Sequence, residues 1–242
     1  SVDPAFNIFA IPMYFSNYDE YRAVRAKVEP LLKQKLEAKG LVFLNWGDSG
    51  WVYLFSKGPV PNVDAIKKLR LYTSAGDDAF VQLYKQNGFN PRPLPFTEIQ
   101  SGLMTGLLDA VPSTPLATLA FQWYRNVPEM LDLGLGPLAG ATVVDAKVWN
   151  SIQQGDRDQI LAIAKKMQDA LDKDVPAQDT QARAEMVKRG LKVTTPDPAA
   201  ARGFREMAEK FAASMKGGVV PADVYDQATR ERDAFRKTRG TK

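Results

Sequence analysis

Two stretches near the middle of the chain decide how it folds: Ile66-Lys67-Lys68-Leu69-Arg70-Leu71-Tyr72 and Pro95-Phe96-Thr97-Glu98-Ile99-Gln100-Ser101-Gly102-Leu103-Met104-Thr105-Gly106-Leu107-Leu108-Asp109-Ala110. The first reads as a short amphipathic helix that runs into a strand carrying one cation, Arg70. The second reads as a helix with Thr97 as N-cap and Gly106 at its C-terminus, followed by a strand that begins at Asp109. Strand, helix and strand recur outward in both directions, which argues an α/β architecture.

Upstream, Phe6 to Pro12 is an apolar run expected to be a buried strand, and Asn17 to Ala38 has a helical period with a kink expected at Pro30. Strands are expected at Leu41–Trp46 and Trp51–Ser56, on either side of Gly47-Asp48-Ser49-Gly50. Downstream, Leu131–Leu138 and Ala141–Asp145 are apolar segments that suit crossing strands. A long helix from about Gly155 to Arg189 follows, with a bend or a split expected at Pro176. A strand at Leu191–Thr194 and two amphipathic helices complete the chain, and the Lys/Arg-rich tail after Phe235 reads as disordered.

The order and wording of the two central stretches resemble the periplasmic solute-binding proteins of TRAP transporters, the DctP-like family. There they run roughly D-L-K-G-L-K-I-R-V and P-F-x-E-V-Y-x-A-L-Q-T-G-V-V-D-G. The resemblance extends from about Phe6 to the C-terminus. It implies a two-lobed periplasmic-binding-protein fold with crossing strands and a long spine helix. Residues 1–47 and 139–178 would form lobe one, and residues 48–138 and 179–242 lobe two. Relatives carry a further α/β segment before Phe6, so the expectation is that lobe one is incomplete. The implied function is capture of an organic acid or an amphipathic ligand outside the cytoplasm, in the periplasm, and delivery to the membrane permease subunits of the transporter.

Composition narrows the chemistry independently. The 242 residues include no cysteine and no histidine, which removes thiol nucleophiles, Cys/His zinc sites and imidazole-based triads within this chain. The net charge of +4 comes from Lys and Arg interleaved with Asp and Glu, so no basic stripe for nucleic acid stands out. No apolar run approaches the length of a membrane span. Asp48, Asp77 and Asp78 lack the spacing of a calcium loop, and no phosphate-cradling glycine motif follows a strand. No cofactor, metal or catalytic residue is expected. A protein-interaction scaffold, or a hydrolase or lyase whose acid/base work comes from Asp, Glu, Lys or Tyr alone, are the other classes left open.

By the resemblance, Arg70 takes the place of an arginine that pairs with the ligand carboxylate, a task suited to a planar guanidinium. Val52 stands where a second, supporting arginine is common, and Val111-Pro112-Ser113-Thr114-Pro115 replaces a more polar set. Ser113 and Thr114 still offer hydroxyls. Trp46 and Trp51 flank the glycine-rich crossing and, with Tyr72 and Phe96, are expected to line the ligand pocket, although aromatics in such places also serve as core packing. Losing a cation while keeping aromatics points to a monocarboxylate with an apolar body rather than a compact dianion.

Overall fold

The computed structural model describes residues 2–240. Its secondary structure alternates as the sequence pattern requires. A first helix, α1 (Tyr18–Glu37), is capped by the Asn17 side chain, which accepts from the Glu20 N–H at 2.9 Å. Tyr21, Val24, Val28, Leu32 and Leu36 form its buried stripe, and Pro30 is carried inside it. Strands β1 (Leu41–Trp46) and β2 (Trp51–Ser56) flank the glycine-rich break. Then come α2 (Val63–Lys68), β3 (Arg70–Ser74), α3 (Asp78–Gln86), β4 (Asn90–Leu94), α4 (Ile99–Thr105), β5 (Ala110–Ser113) and α5 (Pro115–Ala120). The second half contains β6 (Glu129–Pro137), β7 (Ala141–Asp145), α6 (Ala146–Ser151), α7 (Gln154–Lys188), β8 (Lys192–Thr194), α8 (Pro198–Met215) and α9 (Ala222–Arg239).

The strands form two sheets. β1 and β7 pair antiparallel as a two-stranded sheet, and the other six lie in the order β4-β3-β5-β2-β6-β8. β3 is parallel to both β4 and β5, whereas β2 is antiparallel to β5 and β6. The chain therefore passes between the sheets three times, through the extended segments 47–50 and 138–140 and finally through α6 and α7. The two extended passages run side by side: the Gly47 N–H donates to the Gly140 carbonyl at 2.7 Å, Ser49 to Leu138 at 2.9 Å, and Leu138 to Gly50 at 2.8 Å. Gly140 leaves no room for a side chain, since a Cβ there would lie 2.6 Å from the Gly47 carbonyl oxygen.

Four expectations change. Phe6–Pro12 is not a strand; Pro4–Ala10 is a 3₁₀ helix whose Asp3 side chain caps Ala5 at 2.8 Å. Its buried residues, Ala5, Ile8 and Phe9, have the spacing of one helical face, and Pro4 sits at the helix start where its missing N–H costs nothing. Thr97 does not cap α4. A 3₁₀ turn at Phe96–Glu98 feeds the helix without a side-chain cap, while Gly106 ends it in the left-handed region at φ 79°. α7 is not split at Pro176 but runs through it as one helix, and Thr180 Oγ1 donates to the Pro176 carbonyl at 2.9 Å.

The tail after Phe235 is helical to Arg239 because its cations find partners on α1: Arg236 with Glu20 at 2.7 Å and Arg239 with Asp19 at 3.2 Å. Residues 241–242 lie outside the described residues. α9 thus packs on α1, and the larger apolar core runs continuously from Ile8, Tyr21 and Trp46 through Leu54 and Leu71 to Phe204 and Val224. A second core on the other face of the six-stranded sheet joins Phe55, Ile99, Leu103, Trp123 and Met186. Among the described residues no helix is long and apolar enough to cross a membrane.

Candidate functional site

The residues nearest the double crossing are fixed from one side by buried charge. Asp48 Oδ2 accepts from Arg25 Nη1 at 2.6 Å and its Oδ1 from the Tyr21 hydroxyl at 2.8 Å. Arg25 Nη2 reaches on to Asp172 of α7 at 2.9 Å, so one guanidinium ties α1, the crossing loop and the long helix together. Burial raises the Asp48 carboxyl despite Arg25 beside it, and raises the Tyr21 phenol. About two turns further along α7, Asp179 accepts the Trp51 N–H at 2.7 Å and the Leu116 N–H at 3.1 Å. Burial lifts this carboxyl above the usual range, opposed by those two backbone donors. Gly50, at φ 116°, is required here: a Cβ would lie 2.4 Å from Asp179 Oδ2.

On the other side of the crossing lies a cavity of about 410 Å³. Val52, Pro112 and the crossing segment Leu135–Ala139 form its floor, and Tyr72, Thr73 and Ser74 close the C-terminal end of β3. Phe6, Phe9 and Ala10 of the first 3₁₀ turn stand opposite. Among the described residues no Lys or Arg lines it and Asp77 is its one charged residue, whose carboxylate caps Phe80 of α3. Thr73 Oγ1 is buried without a hydrogen-bond partner, and the Tyr72 hydroxyl lies 3.4 Å from Ser74 Oγ. The site therefore offers hydroxyls and apolar surface to a solute at the carboxyl ends of parallel strands, the usual place for a ligand in such sheets.

The residues singled out from sequence separate into three groups. Tyr72 lines this cavity. Trp51 faces a different one of about 560 Å³, edge-on to Tyr18 at 5.0 Å. The remainder line neither cavity. Trp46 is 1% exposed, packed among Phe6, Phe9 and Phe43, and its indole N–H donates to Glu29 at 2.7 Å. Ser113 and Thr114 are buried; Thr114 caps α5 by accepting from Ala117 at 3.3 Å, and Ser113 Oγ donates to the Thr114 carbonyl. Phe96 is 53% exposed in a trio with Phe121 and Trp123.

Arg70 sits at the N-terminal end of β3, two residues before Tyr72. Both its Nε and Nη2 donate to Asp109, at 2.7 and 2.6 Å, and its backbone N–H adds a third bond to the same carboxylate. These bonds hold the Asp109 carboxyl below the usual carboxylate range. Sequence reasoning missed Thr73 and the Leu135–Ala139 floor. Their signals were the alternation along β3 and the Gly134-Leu135-Gly136-Pro137 run, whose small residues let neighbouring groups approach the strand. Among the described residues no cluster of His, Cys, Asp or Glu could hold a metal ion.

Comparison with known proteins agrees with this architecture. Residues 1–217 match the model of "Bacterial extracellular solute-binding protein, family 7", also called DctP. The 2,3-diketo-L-gulonate-binding periplasmic protein YiaO of Escherichia coli is 32% identical over 111 residues, 45% of this chain and 34% of that protein. The C4-dicarboxylate-binding periplasmic protein DctP of Rhodobacter capsulatus is 24% identical over 61% of this chain and 44% of its own length. The matched part thus spans about a third to a half of the length of these curated relatives.

Among solved structures, DctP7 of Bordetella pertussis, an extracytoplasmic solute receptor binding pyroglutamic acid, superposes with a TM-score of 0.86 at 18% identity, covering 96% of this chain and 75% of that one. A TRAP periplasmic solute-binding protein of Haemophilus influenzae with bound L-gulonate gives 0.85 at 20% identity, covering 96% and 76%. The fold is the two-lobed fold of TRAP periplasmic binding proteins. The chain belongs to family 7 of the bacterial extracellular solute-binding proteins.

Proposed function

We propose that this member of solute-binding family 7 captures a monocarboxylate with an apolar body in the cavity at Val52 and Tyr72, and hands it to TRAP permease subunits in the membrane. On this reading it works outside the cytoplasm and does no chemistry on its ligand. The two lobes are residues 1–47 with 139–178, and 48–138 with 179–242, hinged at the double crossing. The relatives named above bind sugar acids, pyroglutamate or dicarboxylates, which supports an organic acid as the class.

The observation that carries the finer reading is the cavity wall, apolar and hydroxyl-bearing with no Lys or Arg. A compact dianion brought there would give up its hydration without a cation in return. An apolar tail instead gains about 0.8 kcal/mol per buried methylene, so six methylenes contribute about 5 kcal/mol. One carboxylate is then held by the Tyr72 and Ser74 hydroxyls, which share a face of β3, with its charge toward the open mouth. Arg70, expected from the resemblance to meet this carboxylate, has its donors on Asp109, and the proposal gives it the task of anchoring the start of β3. A thermal-shift panel of hexanoate, octanoate and phenylacetate against succinate and malate decides the matter. The monocarboxylates are expected to stabilise the protein more; a clear preference for the dicarboxylates overturns the reading.

A further inference from the structure

The 560 Å³ cavity on the Trp51 side of the crossing is not explained by solute capture at Val52 and Tyr72. Strand alternation puts Trp51 and Val52 on opposite faces of β2, so the two cavities take different side chains from one strand. The Trp51 cavity lies between residues 12–18, β2, β6 and the last two helices. Its floor is aromatic: Tyr18 and Trp51 meet edge to face, with Tyr53 beside them. Trp51 is held in place from below, since its backbone N–H is bound by Asp179 and its indole occupies the space a side chain at Gly134 would need.

The rim, unlike that of the first cavity, is cationic. Arg205 of α8 and Arg232 and Arg236 of α9 all line it, against a single carboxylate, Glu209. Arg236 is committed to Glu20 and to the Tyr14 carbonyl, and Arg232 lies 4.2 Å over the Tyr14 ring and bonds Asp233. Among the described residues Arg205 makes no ion pair or hydrogen bond. The Tyr18 hydroxyl, at the other end, is buried with no partner, an arrangement that costs stability unless something accepts its proton.

An uncommitted guanidinium, an orphaned phenol and a flat aromatic floor in one cavity have complementary needs. We propose that this cavity is a second binding site, for an aromatic carboxylate: the carboxylate pairs with Arg205, the ring lies against Trp51 and Tyr53, and an acceptor on the ligand satisfies Tyr18. A guanidinium fits a carboxylate because its fork gives two parallel N–H donors. Aromatic rings add specific edge and face contacts to the burial of area. The site stands on its own residues and does not depend on what the Val52–Tyr72 cavity holds.

Benzoate is the probe, titrated calorimetrically into the whole chain, with Arg205→Ala, Tyr18→Phe and Tyr72→Phe variants in parallel. Neither Arg205→Ala nor Tyr18→Phe removes a contact that holds the fold, so both are expected to unfold at or above the parent temperature. One benzoate should bind, with affinity falling about tenfold in Arg205→Ala and several-fold in Tyr18→Phe as charge-assisted and hydroxyl bonds are lost. Tyr72→Phe should leave it unchanged. No saturable binding, or binding that survives both changes, overturns the proposal. Binding that Tyr72→Phe weakens and Arg205→Ala does not would assign the benzoate to the first cavity and equally overturn it.

Discussion

The two sides of the double crossing are built from opposite materials. Toward α1 and α7 it is held by charge: buried Arg25 and Asp48 form an ion pair that extends to half-buried Asp172, and Asp179 takes two backbone donors. Toward the Val52 cavity there is Val, Pro, Leu and Gly, with hydroxyls at one end and no basic group. The difference separates two jobs. Ion pairs with fixed geometry define where the crossing segments lie, at a desolvation cost that only full pairing offsets. An apolar face keeps the solute side free of fixed charges that would have to be desolvated anew whenever a ligand enters.

Removing a charge from the first side should have the largest effect. Arg25→Ala leaves Asp48 buried with only the Tyr21 hydroxyl, while Asp172 keeps Arg22 at 3.5 Å. Loss of one member of a buried pair costs about 3–5 kcal/mol, so urea unfolding should show a fall in stability of that order. If Arg25→Ala unfolds at nearly the parental urea concentration, the crossing is not held by charge and the contrast fails. Replacing Arg25 and Asp48 together by apolar residues should cost less than Arg25→Ala alone, because no unpaired Asp48 charge remains.

Asp179 sharpens the comparison through pH. Its carboxyl is raised in the folded protein, so folding favours the protonated form. Stability from that preference is fully present below the ordinary carboxylate pKa and is lost as pH rises through the raised value. The stability of the parent relative to Asp179→Asn should therefore increase as pH falls through this window. A difference that stays flat from neutral pH to pH 4 would mean that the two N–H bonds, and not burial, set the ionisation of Asp179. The effect is smaller than that of Arg25→Ala because Asp179 has backbone donors to satisfy it in either form.

Much of this frame was legible in the sequence, and the losses have physical causes. The glycine break at residues 47–50, the α1 stripe and the Gly106 stop are local signals, and each stands where it was read. Phe6–Pro12 was misread because a short apolar run has no period that separates a strand from a turn of helix, and the deciding groups were Asp3 and Pro4 before it. The tail became helical through pairing with Glu20 and Asp19, some 220 residues away, which no local pattern contains. Side-chain direction was the harder loss. Trp46 and Trp51 both flank the crossing and both belong to the core, yet only Trp51 also borders a cavity. In a strand a shift of one residue reverses the face, so spacing to a loop does not fix exposure.

The smallest expected effect on solute binding is at Arg70, and its smallness is the informative part. A shift of two residues along β3 keeps the face but moves the side chain about 7 Å along the strand. Arg70 and Tyr72 thus share a face, while Tyr72 stands at the cavity and Arg70 at the opposite end of the strand, bonded to Asp109. Tyr72→Phe removes a hydroxyl from the cavity and should weaken solute binding by roughly fivefold, the worth of one hydrogen bond of about 1 kcal/mol. Arg70→Ala should leave solute affinity within a factor of two. Its consequence lies in the pH dependence of folding: the lowered Asp109 carboxyl contributes stability above its unfolded pKa, lost as pH falls through the folded value. Without Arg70 that acid-sensitive contribution should shrink. A large loss of solute affinity in Arg70→Ala, with folding intact, would instead return Arg70 to the ligand and show that the pairing with Asp109 opens when solute enters.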